Sequence, residues 1–541
     1  MTKESKSAAI FTGALFLYLI TGAILSALFG HQILNKLFLC VNFIFFAMVL
    51  AFFSIQATKE NVILIIVCLL LILIGIFYIA TIREGHNWGD DFSMYIHHAK
   101  NISEGIKYRE TGYLYNPYYS VGPKVYPPIF PLLLSPVYKC FGLDFMAMKT
   151  EIILFFLLSM YIIFKVFRNQ VQSKYSVLLI ALLGSNPYFW NFKENVLSDI
   201  PFLFFVYLSI FIVGKIYLSN SFKKNQPQNI ILVSSIFYLC YETRNIGAVL
   251  IPAIFIYDLL KFRKPSSFPI KVTLLVAIFV IFQNMFFKDY SVASYFDNLI
   301  FSPKVIFSNL LTYFKALSEL WDNGYYKIVK RILFFIMSGA AIFGYFRIVK
   351  KRVTFCEIFA PLYMCVVIFW PSQQPSQQGV RYLIPIIPLY IFYAFIGIEN
   401  INLICGKQKE RIVLIILTLL IFATYIGKYS KVDWGPIKEG VSKKEAIELF
   451  NYIKEKTNKE DVFIFYKPRA LSLFADRKAS VYHESQNDDE LWSYFAKINA
   501  NYIIMHLDYD QIYFTQFIHR NINSLQQIYF NPDFKIYRIK R

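Results

Sequence analysis

The chain is 541 residues long, 57% apolar and only 17% charged, against about 25% charged in an average soluble protein, which excludes a string of soluble domains. Its net charge of +20 does not indicate nucleic acid, because Lys and Arg sit in short links between apolar stretches and no soluble module carries a basic face with interleaved aromatics. The seven Cys, an odd number with no C-x-x-C pair, exclude a disulfide framework and form no zinc pattern.

The first element is a basic tip, Lys3 to Lys6, followed by an apolar run from Ala8. It resembles a signal peptide, but it is too long and ends at Leu28-Phe29-Gly30 without a convincing cleavage site, so an uncleaved first span is expected. Apolar stretches then recur as far as Gly427, each near the roughly 20 residues that cross a bilayer as helix. The pattern predicts spans at about 8–29, 36–56, 62–81, 150–167, 175–190, 200–218, 229–242, 246–261, 271–287, 331–349, 355–371, 382–398 and 411–428. With thirteen spans the fold class is an all-α polytopic membrane bundle, since only helices or closed barrels satisfy every backbone group in lipid.

Orientation follows from the links. Those with Lys59, Arg168/Lys174, Lys223/Lys224, Lys261/Arg263/Lys264, Arg347/Lys350/Lys351/Arg352 and Lys407/Lys409 fall on one side, which the positive-inside rule makes cytoplasmic. The opposite short links hold little beyond Lys36, Lys193 and Arg381. The N-terminus is then inside, and residues 82–149, 288–330 and 429–541 are outside. The tail mixes helical stretches (443–455, 488–497) with β-rich runs (462–466, 501–505, 534–538), a pattern of a small extracytoplasmic α/β domain. Three units are expected: 1–61 with extra spans, 62–428 as the catalytic core, and 429–541.

The chemistry concentrates in the first outer loop. Trp88-Gly89-Asp90-Asp91-Phe92 opens a helix predicted to run to about Ser103, which either acid is able to cap. Paired carboxylates at a membrane surface also suit proton abstraction from a hydroxyl. Downstream, Tyr126-Pro127-Pro128-Ile129-Phe130-Pro131 leads to Pro136, and four prolines so close together forbid a straight span and predict an interfacial or re-entrant segment. Three further segments stand at outer span ends: Leu197-Ser198-Asp199-Ile200-Pro201, Thr243-Arg244-Asn245-Ile246-Gly247 and Gly379-Val380-Arg381-Tyr382-Leu383. Arg near lipid is costly unless paired or hydrated. Arg244 and Arg381 are therefore either phosphate ligands, for which the guanidinium fork is well shaped, or a structural pair with Glu242 or Asp199. His86, His97 and His98 raise the alternative of a divalent cation, but adjacent His97 and His98 point to different helix faces, so no metal or other cofactor is expected.

An acid at the mouth of an early span, Tyr four residues on, Ala four further, then Y-P-P, S-D-x-P, T-R-x-x-G and R-Y-L-x-P in this order resembles the GT-C glycosyltransferases. The branch it is most similar to is the bacterial one of protein O-mannosyltransferases and lipid A aminoarabinose transferases. The resemblance covers roughly residues 62–400, with a tail similar to the family's outer domain. It implies an inverting transferase in a cell membrane, fed by a polyprenyl-phosphate-linked sugar and serving a glycan, lipid or protein acceptor. In that reading Asp91 is the base, with Asp90 the alternative, because this chain has Asp-Asp-Phe where many relatives have Asp-Glu. Asp199 orients the acceptor or supports positive charge on the sugar ring. Arg244, Arg381 and Tyr382 hold the donor phosphate, and Trp88, Tyr95 and Tyr126 line the pocket. A polysaccharide polymerase or ligase is the competing enzyme reading, and a lipid or solute transporter the competing non-enzymatic one. The transporter predicts repeated halves and mid-membrane charges, and neither is visible.

Overall fold

The computed structural model describes residues 60–540, apart from 120, 169, 171–172, 219–224, 288–301, 370–376, 401–405 and 486. The expected spans 8–29 and 36–56, and nearly all of the expected unit 1–61, lie outside the described residues. Each of the other eleven expected spans coincides with a helix. Seven of these are long and apolar enough to cross a bilayer: Asn61–Ala80, Phe145–Phe167, Asp199–Leu218, Asn245–Phe262, Ser267–Met285, Lys327–Lys351 and Gln408–Tyr429.

Of the remaining four, Pro227–Thr243 and Phe355–Phe369 are helices of 17 and 15 residues, and the other two stretches are broken for local reasons. The stretch 175–190 breaks where the Asn186 side chain accepts from Tyr188 N, ending helix Ser173–Ser185 and starting Pro187–Phe192. The stretch 382–398 is split into Gln377–Leu383 and Ile387–Glu399 by a turn at Pro385. A 13-residue helix rises only about 20 Å, against a hydrocarbon core of about 30 Å. Hydropathy counts such broken stretches as spans because it does not register the bend.

The bundle packs closely where side chains permit. Helices Lys327–Lys351 and Ile387–Glu399 touch through Gly344 and Gly397: a Cβ on Gly344 would meet the Tyr393 carbonyl, and one on Gly397 the Ala340 carbonyl. Small residues at such crossings are the usual means of close helix association in lipid.

In the first long loop, helix Asp91–Glu104 is followed by Ile129–Phe141. Pro127 and Pro128 precede the latter, Pro131 sits in its first turn and Pro136 lies inside it. Its exposed Leu132 and Phe141 suit the interfacial placement expected for the proline-rich segment. The expected loop 288–330 contains a helix, Pro303–Ser318, with Asn309, Tyr313 and Ala316 buried and Phe307, Leu310, Leu311 and Phe314 exposed. That two-faced pattern is an amphipathic helix rather than a span.

The tail holds a five-stranded sheet in the order β2-β1-β3-β5-β4. The β-rich runs are β1 (Val462–Ile464), β3 (Tyr502–His506) and β5 (Phe534–Ile539), whereas β2 (Lys478–Ser480) and β4 (Leu525–Phe530) carry too little apolar alternation to be read from the sequence. β2, β1 and β3 run parallel; β5 and β4 are antiparallel additions. Residues 112–116 of the first loop join the β2 side: Leu114 N donates to Ala479 O at 2.8 Å, Ala479 N to Gly112 O at 3.0 Å and Asn116 Nδ2 to Val481 O at 2.8 Å. Tail and loop are thereby fixed to each other over the end of the bundle.

Candidate active site

Four charged residues from four separate segments meet at one end of the bundle, and each stands at a helix end. Asp91 opens helix Asp91–Glu104 and Asp199 opens Asp199–Leu218, where the positive end of the helix dipole favours an acid. Arg381 lies in the last turn of Gln377–Leu383, where the same dipole favours a cation. Arg244 is the extended residue that ends Pro227–Thr243 before the 3₁₀ turn Asn245–Val249, so its side chain leaves the helix axis sideways.

Arg381 bridges the two acids. Its Nε donates to Asp199 Oδ2 at 2.8 Å and its Nη1 to Asp91 Oδ2 at 2.9 Å. Arg244 Nη1 lies 2.5 Å from Asp199 Oδ1, so Asp199, only 3% exposed, is shared between two guanidinium groups. Burying ions this way is tolerable only when pairing is near complete, and removing one partner of such a set typically costs 3–5 kcal/mol.

On the other side, Tyr126 donates to Asp91 Oδ1 at 2.6 Å. The Tyr126 ring stacks on Tyr95 with 4.4 Å between centroids, and the Tyr95 hydroxyl bonds Ser198 Oγ at 2.9 Å. These contacts tie the Y-P-P segment, helix Asp91–Glu104 and the Ser-Asp segment together. The cavity beside them, about 1240 Å³, is walled by Asp90, Asp91, Tyr95, Tyr126, Arg244, Arg381 and Tyr382, among others.

The two acids differ. Asp90 stands at the N-terminal boundary of its helix yet makes no capping bond with its side chain. It is 7% exposed and accepts from Ala470 N of the tail at 3.4 Å. Burial pushes its carboxyl up to about 6, although Arg469 and Lys467 oppose this. Asp91 is 29% exposed. Burial would raise it too, but Arg381, Arg469 and the Tyr126 hydroxyl outweigh that and hold it down at about 2. Neither acid serves as a helix cap.

Seven of the nine residues singled out in the sequence thus line one cavity. Asp199 lies behind its wall, holding both arginines rather than facing an acceptor. Trp88 is a correction: it packs edge-on against Phe450, Phe465, Phe534 and His506 of the tail, whose aromatic cluster draws it away from the acids. It anchors the loop instead of lining the pocket.

The histidines are structural staples. His86 Nδ1 donates to Asn87 O at 3.1 Å while its Nε2 accepts from Val196 N at 3.3 Å. His98 likewise bridges Tyr108 O (2.8 Å) and Tyr126 N (3.3 Å). Burial holds both near pKa 3 and His97 near 4, hence neutral. Among the described residues, no group of three or more His, Cys, Asp or Glu is placed to hold a metal ion.

Known proteins share the fold. A family model described as dolichyl-phosphate-mannose-protein mannosyltransferase matches residues 125–286, which hold the Y-P-P, Ser-Asp and Thr-Arg segments. The structure superposes on ArnT from Cupriavidus metallidurans, solved bound to undecaprenyl phosphate, with a TM-score of 0.55 at 10% identity, over 89% of this chain and 98% of that one. It matches equally, at 0.55 and 12% identity, the oligosaccharyltransferase AglB from Archaeoglobus fulgidus, solved with an inhibitory peptide and a dolichol-phosphate, over 88% of this chain and 74% of that one. The chain shares its fold with both. No curated protein matches the chain by sequence. Asp91 and Arg381 lie outside the matched 125–286 stretch, so it is the tertiary structure that joins them to Asp199 and Arg244.

One participant escaped the sequence entirely. Arg469, at the start of tail helix Pro468–Ala475, reaches Asp91, Asp90 and Tyr126. No motif marks it, and its separation from Asp91 by 378 positions leaves no local signal.

Proposed function

We propose that this protein is an inverting glycosyltransferase that moves one sugar from a polyprenyl-phosphate-linked donor to an envelope acceptor at the outer face of the membrane. The observation that carries the reading is the meeting of an accessible carboxylate, Asp91, with Arg244 and Arg381 on one cavity wall. A lipid-phosphate sugar needs such a set: cations for the phosphate leaving group and a base for the incoming hydroxyl. The lipid phosphates bound in the two similar structures, and the mannosyltransferase match, support the same donor class.

In the reaction, Asp91 takes the proton of the acceptor hydroxyl as its oxygen attacks the anomeric carbon. The bond from that carbon to the phosphate oxygen breaks, and the lipid phosphate leaves with the electron pair, held by Arg244 and Arg381. One displacement inverts the anomeric centre. Asp199 keeps both guanidinium groups in place. Arg381 and Arg469 hold the Asp91 carboxyl low, which makes it a weak base. A donor phosphate that occupies Arg381 withdraws part of that influence and returns Asp91 toward the ordinary carboxylate range, so base and donor are linked.

The Lys/Arg asymmetry supports an N-terminus in the cytoplasm, with the loops and tail on the outer side of a cell membrane. The thirteen-span count belongs to this topology. Mass spectrometry of envelope glycolipids and glycoproteins from cells with and without the gene tests the function: one sugar substituent should vanish without it. An unchanged glycan profile, together with no release of polyprenyl phosphate by the purified protein, would remove the reading.

A further inference from the structure

We infer that Arg469 is a positioning residue for sugar transfer, supplied by the C-terminal segment to aim Asp91 into the cavity while it engages Asp90 on its other side. This rests on the function proposed above. The Arg469 side chain is fully buried. Its Nη1 donates to the Tyr126 hydroxyl at 3.1 Å and lies 3.5 Å from Asp91 Oδ1, while Nη2 donates to Pro123 O at 2.8 Å. Its Nε side faces Asp90 Oδ2 at 3.6 Å. The guanidinium also lies over the rings of Tyr113 and Tyr126, at 4.9 and 5.2 Å.

Every one of these partners belongs to the first outer loop, although Arg469 belongs to the tail. Arg477, eight residues on, provides the contrast: its bonds go to Lys454 O, Thr457 O, Ala475 O, Asp476 O and Thr457 Oγ1, all within the tail. Arg477 fastens its own segment; Arg469 reaches out of it. Gly122 shows how closely the loop is drawn on. It has φ +140°, and a Cβ there would lie 2.7 Å from Arg469 Nη2.

The arrangement solves a problem posed by two adjacent carboxylates. Like charges side by side repel and exchange roles readily. A cation between them, with a planar fork that bonds in fixed directions, assigns each a place. Arg469 to Tyr126 to Asp91 Oδ1 is one continuous hydrogen-bonded chain, leaving the Asp91 Oδ2 edge toward Arg381 and the cavity.

Steady-state kinetics of the purified full chain, with a polyprenyl-phosphate sugar as the probe, test this. Arg469→Ala should lower kcat by about 10²-fold, as when a base is misplaced, with donor KM changed less than about 3-fold. Arg469→Lys should recover part of that, since Lys keeps the charge without the fork. Unaltered kcat in either folded variant would overturn the inference, as would a parallel loss of kcat and donor affinity like that expected for Arg244→Ala. If Arg469→Ala does not fold, Arg469→Lys decides alone: reduced kcat at unchanged KM upholds the positioning role, and wild-type kcat overturns it. A wild-type chain that transfers no sugar would instead overturn the functional reading itself.

Discussion

Asp90 and Asp91 are neighbours in sequence with opposite electrostatic surroundings. Because neither caps its helix by side chain, Asp91→Asn should leave folding and donor binding intact while lowering the transfer rate by about 10²-fold or more. Asp90→Asn should retain more activity; the reverse order in a rate assay would move the base to Asp90. The pair also differs in its effect on stability. Asp90 rises from 3.8 to about 6 on folding, so the native state holds a proton that the unfolded chain releases. That contribution is fully present below pH 3.8 and is lost as pH rises through about 6. The melting temperature of Asp90→Asn relative to wild type should therefore climb between about pH 4 and 6 and level off above that, and a constant difference across that window would contradict the burial argument. The arginines act on donor rather than base: Arg244→Ala and Arg381→Ala should impair turnover far more than membrane insertion, with Arg381→Lys recovering only part. Normal turnover in both alanine variants would leave these residues a purely structural pairing with Asp199.

At the scale of elements, the site depends on where helices stop. Hydropathy located eleven helical segments among the described residues, because twenty apolar residues in lipid have no other way to satisfy their backbone. It missed the breaks at Asn186-Pro187 and Pro385, which depend on local capping and ring sterics rather than on apolarity. It also passed over the amphipathic helix Pro303–Ser318, whose Tyr313 reaches the cavity wall. Helix contact is open to a direct test. Gly397→Val would force the Ile387–Glu399 helix away from Lys327–Lys351, and overpacking of this kind costs about 1–3 kcal/mol. Thermal unfolding of the purified variant should show a clear fall in midpoint; an unchanged midpoint would mean that the two helices do not need their close approach.

For the whole molecule, the proposed topology puts the first loop, helix Pro303–Ser318 and the tail on one side. A reporter cysteine at position 488 should be labelled by a membrane-impermeant thiol reagent from outside, and one at position 350 only after permeabilisation. The opposite pattern would invert the protein and place the cavity in the cytoplasm. The tail is more than an appendage. It receives Trp88 among its aromatics, extends β2 toward residues 112–116 and sends Arg469 between the two acids.

The amino-acid sequence alone determined the helical membrane bundle, the α/β character of the tail and the motifs carrying Asp91, Asp199, Arg244 and Arg381. These depend on periodicity, composition and short spacing, which are local properties of a chain. Three assignments needed the tertiary structure: Asp199 as the shared partner of two arginines, Trp88 as an anchor in the tail, and Arg469 as the cation between the acids. Each is a contact between segments far apart in the chain. Its partners are chosen by how helix ends, loop and sheet pack against one another, and no local pattern of residues encodes that choice.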